Sequence, residues 1–242
     1  MSEFKFPTEE VELPSKGLLY PKDHPLSSGK VEIKYMTAKE EDILSNQSYI
    51  QKGTVLDKLL QSLLVNKDIK TNDLFVGDKN ALFVAARILG YGKEYKATIA
   101  GKEETIDLSE LENRPIDEKL FATGENRFTY KLESTGTVLE FKLLNGHDEK
   151  KIERELAGLK KITPNQSAEL TTRLKYSILS VDGNEERKDI REFVDNYFLA
   201  KDARAFRKYI SDLSPDVDMT VSLEGGEVVT VPIGLNFFWP DA

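Results

Sequence analysis

The sequence contains no cysteine and only two histidines, His24 and His147, among its 242 residues. The absence of cysteine excludes disulfide bonds, thiolate nucleophiles and zinc sites built on cysteine. The scarcity of histidine argues against a metal site held by several imidazole ligands. We therefore predict a protein that carries no metal and no other cofactor.

The sequence also lacks the basic surplus and the long apolar runs that two classes of protein require. Its 34 basic residues are outnumbered by 42 acidic ones, for a formal net charge of −8, whereas nucleic-acid binding needs a clustered basic surface. No apolar stretch reaches the roughly 18 residues of a membrane-spanning helix. The opening residues MSEFKFPTEE carry acids and a proline instead of a signal-peptide pattern. We expect a cytoplasmic protein with no nucleic-acid partner and no membrane insertion.

Motifs of the common enzyme classes are missing as well. The sequence has no phosphate-binding loop, no G-x-G-x-x-G, no G-x-S-x-G elbow and no H-E-x-x-H. Neighbouring acids such as Glu185 and Glu186 do not face each other on a helix or a strand. His147 precedes Asp148 and Glu149, but a surface histidine near a helix N-terminus explains this arrangement equally well. We predict that the protein is not an enzyme.

The N-terminal half alternates between strand and helix patterns. Four prolines in the first 29 residues predict an extended arm rather than a helix or a central strand. Thr37 and Glu40 form a capping-box signature for a helix that ends near Ser45. Period and turn residues predict the remaining elements: a strand over 30–36, helices over 54–65 and 78–89, strands over 95–99 and 105–108, and a hairpin of strands 127–132 and 137–143.

From residue 148 onward the apolar period becomes helical. A cap at residues 163–166 predicts a helix whose inward face carries Leu170, Leu174, Ile178 and Val181. Two further helices are predicted over residues 188–198 and 200–213, and Pro215 ends the second. The sequence Asp182-Gly183-Asn184 is interpreted as a turn between two helices.

The closing residues form the most informative segment of the chain. Apolar residues occupy every second position from Met219, and again from Val229 to Trp239, which predicts a hairpin with its turn at residues 224–227. The second arm runs into Phe237, Phe238 and Trp239, each able to bury roughly 150–250 Å². Two interpretations stay open, because the tail either closes the protein's own core or inserts into a partner subunit.

These patterns together predict an α+β protein. It has a mixed N-terminal region of short strands and helices, and a helical C-terminal region closed by a β-hairpin tail. The predicted divisions are an extended proline-rich arm (1–29), a mixed region (30–144), a helical region (145–215) and the hairpin with its aromatic tail (216–242).

Five stretches are distinctive when taken in order: LPSKGLLYP (13–21), YMTAKEEDIL (35–44), GDKNALFVAARILGYGKEY (77–95), AKDARAFRKYISDLSPDVD (200–218) and NFFWP (236–240). Across nearly the whole chain they resemble the T4-type bacteriophage baseplate protein family, the hub subunit and hub-assembly group of contractile-tailed phages. The resemblance implies a non-enzymatic part in building the baseplate at the tail tip. It implies other baseplate or tail-hub proteins as partners, in the host cytoplasm during assembly and, for a retained subunit, in the virion tail baseplate.

The resemblance leaves open whether the protein is a structural subunit, with a possible homo-oligomer in a symmetric assembly, or a transient assembly chaperone. Rivals from other classes are a cell-wall hydrolase of the tail tip, which requires two positioned carboxylates, and a nucleic-acid-binding regulator. The last predicted helix carries a basic face that is either solvated or docks an acidic partner. Predicted partner-binding residues fall in the arm, on that helix and in the tail: Leu13, Leu18, Leu19, Tyr20, Arg204, Arg207, Phe237, Phe238 and Trp239.

Overall fold

A computed structural model describes residues 7–99, 102–121, 124–162, 167–222 and 228–239. Within these ranges the chain forms eight α-helices and nine short strands, so the predicted α+β class is confirmed. The helices are α1 (Ala38–Leu44), α2 (Gln47–Gln51), α3 (Val55–Leu63), α4 (Val76–Tyr91), α5 (Gly146–Ile162), α6 (Glu169–Ser177), α7 (Arg187–Asn196) and α8 (Ala200–Leu213).

The strands pair only in antiparallel fashion within the described residues. Three two-stranded sheets join β1 with β2, β3 with β4 and β8 with β9, and one three-stranded sheet has the order β5-β6-β7. The strands are β1 (Thr8–Glu12), β2 (Lys30–Lys34), β3 (Glu94–Ile99), β4 (Lys102–Asp107), β5 (Phe128–Lys131), β6 (Val138–Phe141), β7 (Ile178–Val181), β8 (Thr220–Ser222) and β9 (Val228–Thr230).

Helix α4 is the central element of the fold. Four consecutive residues from Ala81 to Val84 are buried, so the helix is covered on all sides rather than along one stripe. It packs chiefly against β1, α3 and the 3-10 helices over Leu108–Glu110 and Leu235–Phe238. One hydrophobic core extends in sequence from Leu13 to Phe238.

The proline-rich segment is extended only in part, and it lies on the core. Residues 8–12 form β1, which pairs with β2, and a 3-10 helix covers Pro25–Ser28. Between them the chain turns at Gly17, whose φ of 78° suits glycine. A Cβ at Gly17 would lie 2.4 Å from the Ser27 carbonyl oxygen, so the turn also needs the missing side chain.

The predicted helix through Val181 is wrong in its second half. Helix α6 ends at Ser177, and Ile178 and Val181 belong to β7, the third strand beside β6. The β-branched residues suit a strand, and pairing covers the open edge of the β5-β6 hairpin. The following turn at Asp182 therefore joins a strand to a helix, not two helices. The predicted helix cap at residues 163–166 lies outside the described residues.

The structure of the tail differs from the predicted hairpin in its second arm. Strand β9 ends at Thr230 and does not continue to Trp239, because a 3-10 helix covers Leu235–Phe238. Side chains of adjacent strand residues point to opposite faces. In the 3-10 helix both Phe237 and Phe238 reach the core, with ring centroids 5.3 Å apart. The predicted turn at residues 224–227 lies outside the described residues.

Candidate protein-binding groove

A groove of about 620 Å³ lies between the beginning of α4, the segment after β6, helix α6 and the end of α8. Its lining is largely apolar, and two of its apolar side chains are exposed, Leu170 at 42% and Val76 at 52%. Contiguous exposed apolar surface bordered by polar groups is typical of interaction sites. We refer to this feature as the α6–α8 groove.

Helix α8 supplies one wall of the α6–α8 groove. Arg207, Ile210, Ser211 and Ser214 line it, and they follow one another at the spacing that places residues on one helical face. The adjoining face of α8 is buried through Phe206, whose ring lies 5.0 Å from that of Phe141. Packing of the apolar face therefore fixes the direction in which the groove face points.

The floor is fixed by a close approach of backbone to backbone. Gly77, in the first turn of α4, lies against Pro215 just beyond α8. A Cβ at Gly77 would stand 2.0 Å from the Pro215 carbonyl oxygen. Asn80 also donates a hydrogen bond of 2.9 Å to Asp216. These contacts hold the beginning of α4 and the end of α8 together at the base of the groove.

The carboxylates of the groove all accept hydrogen bonds from neighbouring groups. Arg173 binds Glu149 through two bonds of 2.7 and 2.9 Å and approaches Glu169 at 3.4 Å. These contacts, Glu149 first, raise the pKa of Arg173. Asp216 accepts from the Asn80 amide and from the Val217 backbone at 2.8 Å.

Two other arginines of the groove, Arg207 and Arg114, do not share the ion pairing of Arg173. Arg207 Nε donates to the carbonyl of Ala203 one turn earlier on α8, at 3.2 Å. Among the described residues no carboxylate forms an ion pair with Arg207 or with Arg114, and both side chains belong to exposed residues. Hydrogen bonds from Thr220 and then the charge of Arg114 lower the pKa of the Asp218 carboxyl, so Arg114 already acts on an acid of this chain. Arg207 differs, because its terminal nitrogens have no acceptor among the described residues.

The predicted partner-binding residues are not gathered in one place. Arg207 lines the groove, whereas Arg204 is exposed but lies outside its lining. Leu18 and Trp239 are half-buried and pack on the core of this chain. The remaining five predicted residues are buried in that core, at most 4% exposed: Leu13, Leu19, Tyr20, Phe237 and Phe238.

Those five side chains are covered by their own chain. Their assignment to a partner interface stays a prediction. Of the two interpretations left open for the tail, the structure shows the first, in which the tail closes its own core. Groove residues Val76, Arg114 and Arg173 were not predicted, and Leu170 was assigned to the core, because helical spacing alone does not show which apolar residues a neighbour covers.

The LPSKGLLYP segment is fixed to α4 by a buried carboxylate. Asp78 accepts hydrogen bonds from the Ser15 amide at 3.0 Å, the Ser15 hydroxyl at 2.8 Å and the Tyr20 hydroxyl at 2.5 Å. The Tyr20 oxygen in turn accepts from the Phe75 amide at 3.3 Å. Burial raises the pKa of both Asp78 and Tyr20. The network is closed to solvent, so we assign it to holding the fold.

The tail is fixed to the other end of α4 by a buried arginine. Arg87 is 1% exposed and donates to three carbonyls, those of Phe237 at 2.9 Å, Gly92 at 2.9 Å and Glu94 at 3.2 Å. Burial lowers its pKa. The Phe237 ring packs against Tyr95 and the Phe238 ring against Phe83, with centroids 5.2 and 6.0 Å apart.

Both histidines of the chain approach one carboxylate. His147 Nε2 lies 2.8 Å from Asp73 Oδ1, and His24 Nε2 lies 3.7 Å from Asp73 Oδ2. In the described ranges, no three side chains of His, Asp or Glu are placed to hold a metal ion. His147 thus pairs with a residue far away in the chain rather than with its neighbours Asp148 and Glu149. Its contact with Asp73 ties the beginning of α5 to the loop before α4.

No family model, curated protein or solved structure gives a significant match to this chain. Among the described residues, no helix has both the length and the apolar character needed to cross a membrane.

Proposed function

We propose that this protein is a structural or assembly component of a contractile-tail bacteriophage baseplate and that it acts by binding other proteins. The family resemblance of its five sequence stretches supplies the biological setting. The observation that carries the binding role is the α6–α8 groove, where Val76 and Leu170 are exposed together in one concave surface.

The arrangement of acids in the groove supports binding over hydrolysis. Glycoside hydrolysis uses two carboxyl groups, one of which donates a proton to the leaving group. Glu149 and Glu169 both line the groove, but both contact the single guanidinium of Arg173. That pairing is suited to holding α5 and α6 together, and we propose no hydrolytic step for it.

Deletion of the gene from the phage that encodes it tests the proposed function. We expect infected cells to accumulate no complete tails, and we expect a plasmid copy of the gene to restore them. Mass spectrometry of purified particles then separates a retained subunit, present in the particle, from a transient assembly chaperone, absent from it. Normal tails in the deletion strain would overturn the proposal.

A further inference from the structure

We infer that the α6–α8 groove receives a segment of a partner protein in which an acidic side chain stands beside large apolar ones. This inference rests on the proposed function, and it names the chemistry of the partner at that site. It follows from two features of the groove: its apolar wall, and the terminal nitrogens of Arg207, which have no acceptor among the described residues.

The apolar part of the segment is indicated by the groove walls. Leu170 on α6 and Val76 on α4 are exposed, and Ile210 on α8 is only partly covered. Covering exposed apolar surface favours binding, and a volume near 620 Å³ is enough for a few large side chains. A purely polar segment would leave this surface in contact with water.

The acidic part is indicated by which hydrogen-bonding groups are already used. Formal charges along the groove cancel, with three arginines against Glu149, Glu169 and Asp216. The acids, however, already accept hydrogen bonds from groups of this chain. The terminal nitrogens of Arg207 have no acceptor among the described residues. What the groove lacks is therefore an acceptor, and a carboxylate binds a guanidinium through charge-assisted bonds.

The position of Arg207 fits this role. It stands one turn before Ile210 on the same face of α8, so an acid bound to Arg207 brings its apolar neighbours over Ile210. Arg114 also lines the groove, and its amide donates to the carbonyl of Asp216 at 2.8 Å.

The test is a selection of random dodecapeptides displayed on a carrier against the purified full-length protein. We expect the enriched peptides to combine Asp or Glu with Leu, Ile or Phe. One enriched peptide is then synthesised with a fluorescent label, and its binding to the protein is measured by fluorescence anisotropy. Replacing Arg207→Glu should weaken its Kd by about tenfold or more, since it replaces an attractive contact with a repulsive one. Leu170→Ser should weaken it as well.

Arg204→Glu is the matched control. Arg204 is an exposed arginine one turn away on the same helix, but it does not line the groove, so its replacement should leave the Kd unchanged. Both arginines are exposed, so we expect unchanged melting curves for both variants. Enriched peptides without acids, or equal losses for Arg204→Glu and Arg207→Glu, would overturn the inference. Self-association of the wild type that Arg207→Glu abolishes would assign the groove to a second copy and would overturn it too.

The two proposals fail in different ways. If Arg207→Glu loses the peptide yet still supports tail assembly in the complemented deletion strain, the groove does not receive the partner while the baseplate role stands. If the deletion strain makes normal tails but the peptide binds the wild type and not Arg207→Glu, the proposed baseplate role is wrong and the inferred binding chemistry of the groove is supported.

Discussion

Asp78 and Arg87 stand nine positions apart on α4, so their side chains leave the helix on opposite sides, about 180° apart at 3.6 residues per turn. Asp78 binds the N-terminal segment through Ser15 and Tyr20. Arg87 binds the C-terminal tail through the carbonyl of Phe237. Both ionisable groups are buried, and both form hydrogen bonds with neutral groups. Segments near both ends of the chain are thereby fastened to one helix.

The Arg87 contact should be a major source of stability. Replacing Arg87→Met keeps most of the apolar stem but leaves three carbonyls without their donor. We expect a loss of about 3 kcal/mol in the free energy of unfolding, measured by urea denaturation. The matched control is Arg204→Met, which changes an exposed arginine and should stay within about 0.5 kcal/mol of the wild type. Equal effects from both variants would contradict the assigned role of Arg87.

The aromatic tail should behave as core. Phe238 is fully buried, so Phe238→Ala should cost about 3–5 kcal/mol. Trp239 is only half-buried, and Trp239→Ala should cost clearly less. Thermal unfolding followed by circular dichroism measures both. If Phe238→Ala melts like the wild type, the tail is not part of the folded core in solution.

Gly77 tests the base of the groove. Gly77→Ala places a methyl group against the backbone of Pro215, so α4 and α8 have to separate at the cost of about 1–3 kcal/mol. Gly158, inside α5, has open space where its Cβ would be. Gly158→Ala should therefore stabilise the protein by about 1 kcal/mol through helix propensity. Chemical denaturation measures the change in the free energy of unfolding for each variant, and we expect changes of opposite sign. Changes of the same sign would contradict the close contact between Gly77 and Pro215.

Glu40 should make the protein sensitive to acid. Burial opposes its charge, but hydrogen bonds from Lys34, Ser62 and Thr37 outweigh burial and lower its pKa to about 2. A carboxyl whose pKa is depressed from its ordinary value of 4.5 stabilises the fold fully above pH 4.5. This contribution, about 3 kcal/mol, is lost as the pH falls through 2.

Glu40→Gln measures that contribution. The variant should be less stable than the wild type at neutral pH, and the difference should shrink as the pH falls from 4.5 towards 2. The measured quantity is the midpoint of urea denaturation of the variant and of the wild type at a series of pH values. A difference that stays constant over this range would show that the ionised form of Glu40 contributes nothing. Glu41→Gln, the neighbour on the same helix, serves as the control.

The elements that the sequence predicts well are those whose signal is local. The capping box of Thr37 and Glu40 marks the start of α1, where the Thr37 amide donates to Glu40 at 2.9 Å. The apolar stripe of α8 gives its bounds at Ala200 and Leu213. Such signals depend on neighbours three or four positions away, which the sequence displays directly.

The features that the sequence does not predict depend on contacts with residues far away in the chain. Ile178 has helical spacing from Leu174, but an open edge at β6 draws it into a strand. Arg207 is predicted as a docking residue, yet its distinction from Arg204 arises only because α6 and the start of α4 close a groove on one side of α8.

By itself, the sequence determined the α+β class, most element positions, the absence of cysteine chemistry and the need to cover an aromatic tail. These are properties of composition and of short-range periodicity. Tertiary structure alone decided that the tail lies in its own core and that Asp78 and Arg87 bind opposite ends of the chain. It also decided which apolar residues stay exposed beside Arg207. The physical reason is that burial is a property of packed surfaces, and a residue's cover comes from elements distant in sequence.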